Sequence, residues 1–113
     1  MSIQGLASAN FKRLCENPYP GRGIILGRDT TGDFLVQCYW IMGRSVNSRN
    51  RVFVLGENGQ VSTDFADPAK GGDPSLIIYN AMREGYGACV VSNGDQTDTV
   101  INNLMLSADY LLH

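Results

Sequence analysis

The sequence predicts an α+β fold, with a mostly antiparallel sheet followed by a helix at the C-terminal end. Between residues 22 and 92, short β-branched and aromatic runs alternate with glycine, proline, asparagine and aspartate, the pattern of strands and turns. One longer amphipathic stretch comes after these runs and indicates a helix. The chain has 113 residues, 43% hydrophobic and 18% charged, so we expect residues 1–113 to form a single domain.

The first elements are a helix and a hairpin. The helix is expected over residues 5–16, because Pro18 and Pro20 follow it and cannot continue it. The apolar run Arg22–Arg28 predicts a first strand, and the aromatic run Phe34–Met42 predicts a second. The sequence DTTGD between them is typical of a turn, so the two strands are expected to pair as a hairpin.

A second hairpin is expected after a polar loop, Gly43–Asn50. Val52–Leu55 is the third predicted strand and Gln60–Phe65 the fourth. Asn58 and Gly59 lie between them and supply the usual signal of a tight hairpin turn.

The last predicted elements are two strands and the long helix. After a loop over Ala66–Pro74, we expect a fifth strand at Ser75–Ala81 and a sixth at Tyr86–Ser92. The helix is expected from about Thr97 to the end of the sequence, with Asp95 or Thr97 as its cap. Its apolar stripe comprises Val100, Ile101, Leu104, Ala108 and Leu111.

Charge and hydropathy exclude several classes of protein. The net charge of -2 argues against non-specific nucleic-acid binding. No apolar run approaches the ~20 residues of a membrane span, and the N-terminus lacks the basic start and apolar stretch of a secretory signal. We therefore expect a cytoplasmic protein that binds neither nucleic acid nor membrane.

The cysteines do not indicate a metal site. Cys15, Cys38 and Cys89 are widely spaced and form no CxxC pair, and the single histidine, His113, ends the sequence. We expect reduced thiols, two of them packed in strands. A catalytic cysteine–histidine pair would have to use His113.

The basic residues favour arginine, with seven arginines against two lysines. Arg44, Arg49 and Arg51 fall within one short loop. Because the planar guanidinium can grip a phosphate or carboxylate with two hydrogen bonds, this cluster suggests an anionic ligand. The alternative is a surface loop with salt bridges.

Four polar segments supply many hydrogen-bond donors and few acids. They are Asn17–Arg22, Gly43–Arg51, Asp73–Asn80 and Asn93–Asp98. The last would lie at a helix N-terminus, where backbone N–H groups point outward. Each segment alone also reads as a loop or cap, but together they suit a pocket for a phosphorylated ligand.

The same segments resemble a known family. NPYPGRGIILG, YWIMGRSVNSRNRVF, DPSLIIYNAMR and VVSNGDQTDT are similar, in order, to segments of the archaeal-type IMP cyclohydrolases and their bacterial relatives. The resemblance runs from about Asn17 to the C-terminus. It implies cyclisation of a formamidoimidazole-carboxamide ribotide (FAICAR) to inosine monophosphate, with loss of water and without metal or organic cofactor.

The resemblance also implies an αββα sandwich like that of the N-terminal-nucleophile hydrolases. Family members are longer, so we expect this chain to supply roughly the first half of an incomplete domain. An open apolar face is then expected, and with it a homo-oligomer or a complementary chain. The candidates to line that face are Ile24, Leu26, Leu35, Ile41, Val54, Ile77 and Val90.

Site roles follow from the chemistry of the implied reaction. A neutral phenol can donate to an oxyanion or relay a proton, so Tyr79 is the leading catalytic candidate, with Arg44 as the second. Contacts to phosphate, ribose and base are expected from Arg22, Arg49, Arg51, Asn80, Asn93 and Asp95.

Alternatives remain at several of these positions. Tyr79 could be a packed sheet tyrosine, and Tyr39 and Trp40 are assigned to the core or its rim rather than to the site. Asp95 and Asp98 are assigned to helix capping rather than to general acid catalysis. The whole chain could also be a ribotide-binding module without catalysis, or a structural fragment that needs a complement.

Overall fold

A computed structural model describes residues 2–112 and the side chains of residues 2–107. Its α-helices are α1 (Ile3–Glu16), α2 (Val46–Arg49) and α3 (Gln96–Leu112). Its strands are β1 (Arg22–Arg28), β2 (Leu35–Ile41), β3 (Arg51–Leu55), β4 (Val61–Phe65), β5 (Asn80–Gly85) and β6 (Ala88–Val91). The chain is therefore α+β, with antiparallel sheets and a C-terminal helix.

Strands β1 and β2 form the expected hairpin, with Arg22 opposite Ile41. Its turn is held by Asp29, whose carboxylate accepts hydrogen bonds from the Thr31 hydroxyl (2.7 Å) and the Phe34 N–H (3.2 Å). These hydrogen bonds, the one from Thr31 first, hold the pKa of Asp29 below its usual value. The turn prediction for this segment is confirmed.

The other four strands form one antiparallel sheet in the order β3-β4-β5-β6. Asn58 and Gly59 have φ values of 54° and 73°, as a two-residue hairpin turn requires, and the predicted β3–β4 hairpin is confirmed. Tyr86 and Gly87 repeat this geometry, with φ values of 53° and 75°, between β5 and β6.

The predicted fifth strand at Ser75–Ala81 is wrong. The side chain of Asp73 accepts a hydrogen bond from the Ser75 N–H and starts a single 3₁₀ turn, Pro74–Leu76. Ile77 then turns inward and is buried, so it leaves the predicted open face. The strand begins only at Asn80, because Asp-Pro capping outweighs the apolar composition of this segment.

Helix α3 packs against β5 and β6. The hydroxyl of the fully buried Thr97 donates to the Ala81 carbonyl (3.1 Å), so Thr97 ties the helix to the sheet instead of capping it. The main-chain carbonyl of Asp95 accepts from the N–H groups of Asp98 and Thr99 and marks the start of the helix. Ala108 and Leu111, two members of the predicted stripe, lie outside the described side chains.

The chain is a plate of 51 × 47 × 19 Å with a small core. Among the described side chains, the buried apolar residues are Ile77, Ala81 and Ile101. Cys38 and Cys89 lie on β2 and β6 as expected, but both are exposed, so the prediction that they are packed is wrong. Across residues 2–112, no helix has the length and apolarity needed to cross a membrane.

Candidate active site

Two tyrosines from distant segments meet in the candidate site. The hydroxyls of Tyr39, on β2, and Tyr79, just before β5, are 2.5 Å apart and share a hydrogen bond. The Tyr39 ring meets the Phe53 ring edge-on, at 5.8 Å between centroids. The N–H of Tyr79 donates to the hydroxyl of Thr63 (3.1 Å), and that hydroxyl donates to the Ile77 carbonyl (2.5 Å). The side chain of Thr63 on β4 therefore holds the backbone of Tyr79 in place.

The surroundings favour the neutral form of the Tyr39 phenol. Burial, and after it the hydrogen bond with Tyr79, raise the pKa of Tyr39 above its usual value. The positive charges of Arg22 and Arg51 act in the opposite direction but are the smaller influence. A neutral phenol can donate or relay a proton at physiological pH.

Arg22 and Arg51 place two cations beside this pair. One terminal nitrogen of Arg22 donates to the Asn93 carbonyl (3.1 Å), and Nε of Arg51 donates to the Ser48 carbonyl (2.8 Å). Nη1 of Arg51 is buried and has no hydrogen-bond partner within the part of the chain that the structure describes. A buried donor without a partner is unusual in a folded protein and marks this guanidinium as a group that a ligand could satisfy after a small rearrangement.

A cavity of about 370 Å³ adjoins Arg51. It is lined by Ile41, Met42, Gly43, Ser48, Arg49, Arg51, Val52, Phe53 and Thr63. Arg49 is held at the rim by a hydrogen bond from its Nε to the Gly43 carbonyl (3.0 Å). The volume falls within the range of small-molecule sites, and the lining combines an apolar wall with two guanidinium groups.

Arg44 contacts a third tyrosine, Tyr19. Its guanidinium stacks over the ring of Tyr19, 4.6 Å from the centroid, and the Tyr19 hydroxyl donates to the Met42 carbonyl (3.1 Å). The side chain of Arg44 is exposed. The guanidinium of Arg44 is therefore held by Tyr19 rather than by Tyr79, and the catalytic role of Arg44 stays a prediction.

Asn80 joins a separate cluster that faces helix α3. Its amide donates to both carboxylate oxygens of Asp98 (2.9 and 3.2 Å) and accepts from the amide of Gln60 (2.9 Å). Arg83 adds an ion pair to Asp98 at 2.9 Å. The carboxylate of Asp98 therefore links β5 to α3, and the expectation that Asp98 caps the helix is wrong.

Asn93 and Asp95 lie in the loop that enters α3. The Asn93 carbonyl accepts from Arg22, and the Asp95 carbonyl begins the helix. This loop is held by Ser92, whose hydroxyl hydrogen-bonds the Gly94 carbonyl (3.0 Å) and the Thr97 hydroxyl (2.7 Å). Only main-chain atoms of Asn93 and Asp95 are engaged in these contacts, so substrate binding by their side chains stays a prediction.

Sequence reasoning missed Tyr39, which it assigned to the core or its rim. A signal for a role of Tyr39 in the site was present, because side chains alternate along β2. Tyr39 therefore shares a face with Ile41, and Ile41 lies opposite Arg22.

His113, the partner required for a cysteine–histidine pair, lies outside the described residues. Within residues 2–112, no three histidine, cysteine or acidic side chains gather as a metal site.

A sequence model of the IMP cyclohydrolase-like protein family matches residues 19–110, which include both tyrosines of the pair and every predicted site arginine. No solved structure matches the chain. The chain belongs to the IMP cyclohydrolase-like family, and its role is related to purine biosynthesis.

Proposed function

We propose that the protein closes the purine ring of FAICAR to give inosine monophosphate and water. Family membership supports a cyclohydrolase, and the observation that carries the proposal is the Tyr39–Tyr79 pair beside Arg22 and Arg51. For the architecture, we propose that the chain supplies one sheet and its helices to an αββα sandwich of the N-terminal-nucleophile-hydrolase type.

The reaction needs positioning and proton transfer. The carboxamide nitrogen attacks the formyl carbon, a C–N bond forms, and the formyl oxygen becomes a tetrahedral hydroxyl. That oxygen then leaves as water, taking one hydrogen from the carboxamide nitrogen and the other from the formamide nitrogen. Because both reacting groups belong to one molecule, the enzyme mainly holds them in a near-attack geometry and stabilises the developing oxyanion.

The phenol pair is suited to this proton transfer. Tyr79 donates to the developing oxyanion, while Tyr39 holds the Tyr79 hydroxyl and can return a proton to it through their shared hydrogen bond. Because its pKa is raised, Tyr39 keeps its proton and can donate the hydrogen bond that holds the Tyr79 hydroxyl. Arg22 and Arg51 add positive charge where the oxyanion forms.

The remaining roles concern the ribotide as a whole. Arg49 at the cavity rim and the exposed Arg44 are assigned to the phosphate, with Arg44 kept as a catalytic candidate. Asn80, Asn93 and Asp95 are assigned to the ribose and base. Asn80 is the weakest of these assignments, because Gln60 and Asp98 already occupy its amide.

A direct assay tests the proposed reaction. The purified 113-residue chain is incubated with FAICAR after treatment with a chelator, and the nucleotide product is separated by chromatography. We expect inosine monophosphate to form and chelation to leave the rate unchanged. A folded protein that forms no product, or that loses its activity to the chelator, contradicts the proposal.

A ribotide-binding module without catalysis is the second candidate. The hydrogen bonds of Asp98 favour this second function. Asn80 and Arg83 hold the carboxylate of Asp98, so it is not available as a general base. Calorimetric titration with inosine monophosphate distinguishes the two functions: binding together with turnover supports the enzyme, and binding alone supports the module.

A further inference from the structure

The two tyrosines of the candidate site belong to different parts of the fold. Tyr39 lies on β2 in the two-stranded sheet, and Tyr79 lies just before β5 of the four-stranded sheet. Because the two sheets are separate hydrogen-bonded units, no shared ladder sets the distance between their residues. The short contact between the two hydroxyls therefore depends on side chains that hold each tyrosine in place.

One pair of residues on β3 and β4 contacts both tyrosines. Phe53 lies directly opposite Thr63 in the antiparallel register, so the two side chains are neighbours on one face of the sheet. The Phe53 ring meets the Tyr39 ring edge-on, and the Thr63 hydroxyl accepts a hydrogen bond from the Tyr79 N–H. We call Phe53 and Thr63 the cross-strand pair.

Thr63 holds the backbone on both sides of the residue before Tyr79. It is 2% exposed, and its hydroxyl donates to the Ile77 carbonyl (2.5 Å) while accepting from the Tyr79 N–H (3.1 Å). Its own N–H donates to the Tyr79 carbonyl (2.9 Å). Residues 77–79 belong to neither a helix nor a strand, so without the hydroxyl two backbone groups would lose these hydrogen bonds.

The cross-strand pair also separates the tyrosines from the cavity beside Arg51. Phe53 and Thr63 both line that cavity of about 370 Å³. The same two side chains therefore contact the tyrosines and form part of the cavity wall.

We propose that Phe53 and Thr63 are positioning residues: Phe53 holds the ring of Tyr39, and Thr63 holds the backbone of Tyr79, so that the two hydroxyls meet. Neither residue takes part in the chemistry. A misplacement of about 1 Å can lower a rate roughly 100-fold. The kinetic effect of this positioning rests on the proposed function, whereas the positioning itself can be measured without substrate.

The kinetic test compares two buried threonines. Thr63→Val removes the hydroxyl but keeps the side-chain shape, so kcat should fall roughly 10-fold or more with little change in KM. Thr63→Ser keeps the hydroxyl and should restore most of kcat. Thr97→Val is the matched control, because Thr97 is also fully buried and its hydroxyl donates to the Ala81 carbonyl, away from the tyrosines. It should keep wild-type kcat at a temperature where it is folded.

A double variant separates positioning from other roles of Thr63. If Thr63 acts through the Tyr79 hydroxyl, Thr63→Val should lower kcat no further in a Tyr79→Phe background. An equal loss in both backgrounds overturns the proposal. A rise in KM at constant kcat also overturns it, since that result assigns Thr63 to uniform binding of the substrate.

A second measurement covers a Thr63→Val that does not fold and a wild type without turnover. Phe53→Leu removes the edge-on ring contact, and Phe53 is 45% exposed, so its loss is a milder change to the core. Absorbance at 295 nm follows phenolate formation. Because burial and the hydrogen bond with Tyr79 delay the ionisation of Tyr39, Phe53→Leu should move the latest component to lower pH. Phe11→Leu, at a 59% exposed position on α1, should leave it unchanged.

The two measurements fail in different ways. A late component that is the same in Phe53→Leu and wild type overturns the positioning role. A wild type that forms no inosine monophosphate but shows the expected shift in Phe53→Leu contradicts the proposed reaction and supports the positioning of Tyr39.

Discussion

Tyr79 and Asn80 are adjacent in the chain, yet their side chains belong to two polar clusters with different properties. Successive side chains of an extended segment point to opposite faces. Tyr79 therefore reaches Tyr39 on the hairpin, while Asn80 reaches Asp98 on helix α3. We call these the phenol cluster, with Arg22 and Arg51 beside the two tyrosines, and the carboxylate cluster, which also contains Gln60 and Arg83.

The carboxylate cluster is closed. Both amide ends of Asn80 are occupied, and the carboxylate of Asp98 accepts hydrogen bonds from Asn80 and Arg83. Groups that satisfy one another hold structural elements together and gain little from a ligand. The cluster therefore acts as the link between strand β5 and helix α3.

The phenol cluster is incomplete by the same standard. Tyr39 and Tyr79 share one hydrogen bond, and Nη1 of Arg51 has no partner within the described residues. Two cations lie near the pair, and no carboxylate from the described residues makes a hydrogen bond to it. Polar groups that the fold leaves unsatisfied are the better candidates for ligand contact.

The largest expected effect is on the phenol cluster. Tyr79→Phe removes only the hydroxyl, so kcat should fall roughly 100-fold or more, with little change in KM, if that hydroxyl acts in the transition state. Tyr86→Phe, at an exposed turn tyrosine, is the matched control and should retain full activity. The measurement is steady-state formation of inosine monophosphate by both variants.

Equal turnover by Tyr79→Phe and wild type would reduce the Tyr39–Tyr79 hydrogen bond to a packing feature. An increase in KM at constant kcat would mean instead that the hydroxyl binds the ground state and transition state equally well. Either result would remove the distinction drawn between the two clusters.

The sequence predicts the local structure around the phenol cluster but not the long-range contact between Tyr39 and Tyr79. The first hairpin is predicted with its strands and turn because β-branched runs and the Asp29 turn are local signals. The strand predicted at Ser75–Ala81 is misplaced, because an Asp-Pro cap competes with the apolar run after it, and Tyr79 lies just before β5. The contact of Tyr79 with Tyr39 spans 40 residues of sequence and depends on how the hairpin meets the sheet, which no local pattern specifies.

The second prediction concerns the carboxylate cluster and is a change in stability. Asp98→Asn removes the charge that pairs with Arg83 in a half-buried site, so the free energy of unfolding should fall by about 1 kcal/mol. Urea unfolding at fixed chain concentration measures this loss. Asp33→Asn, in the exposed turn of the first hairpin, removes the same charge and should change stability by less than about 0.5 kcal/mol.

Catalysis gives the discriminating readout for Asp98. If the carboxylate cluster is structural, Asp98→Asn keeps wild-type kcat at a temperature where it is folded. A loss of kcat without a loss of stability would make Asp98 part of the chemistry and would contradict the division into two clusters.

The smallest expected effect is a shift in the ionisation of Tyr39, which requires no substrate to observe. Burial and the hydrogen bond with Tyr79 raise the pKa of Tyr39 in the folded chain, whereas an unfolded tyrosine has a pKa of about 10. The neutral phenol is therefore the form that folding favours. Its contribution to stability is fully present below pH of about 10 and is lost as pH rises through the higher folded value.

Absorbance at 295 nm should show that one of the five tyrosines forms phenolate later in the folded chain than in guanidinium chloride. Tyr39→Phe should remove that late component. If the late component persists in the variant, another tyrosine is responsible, and the phenol cluster loses the electrostatic property that separates it from the carboxylate cluster.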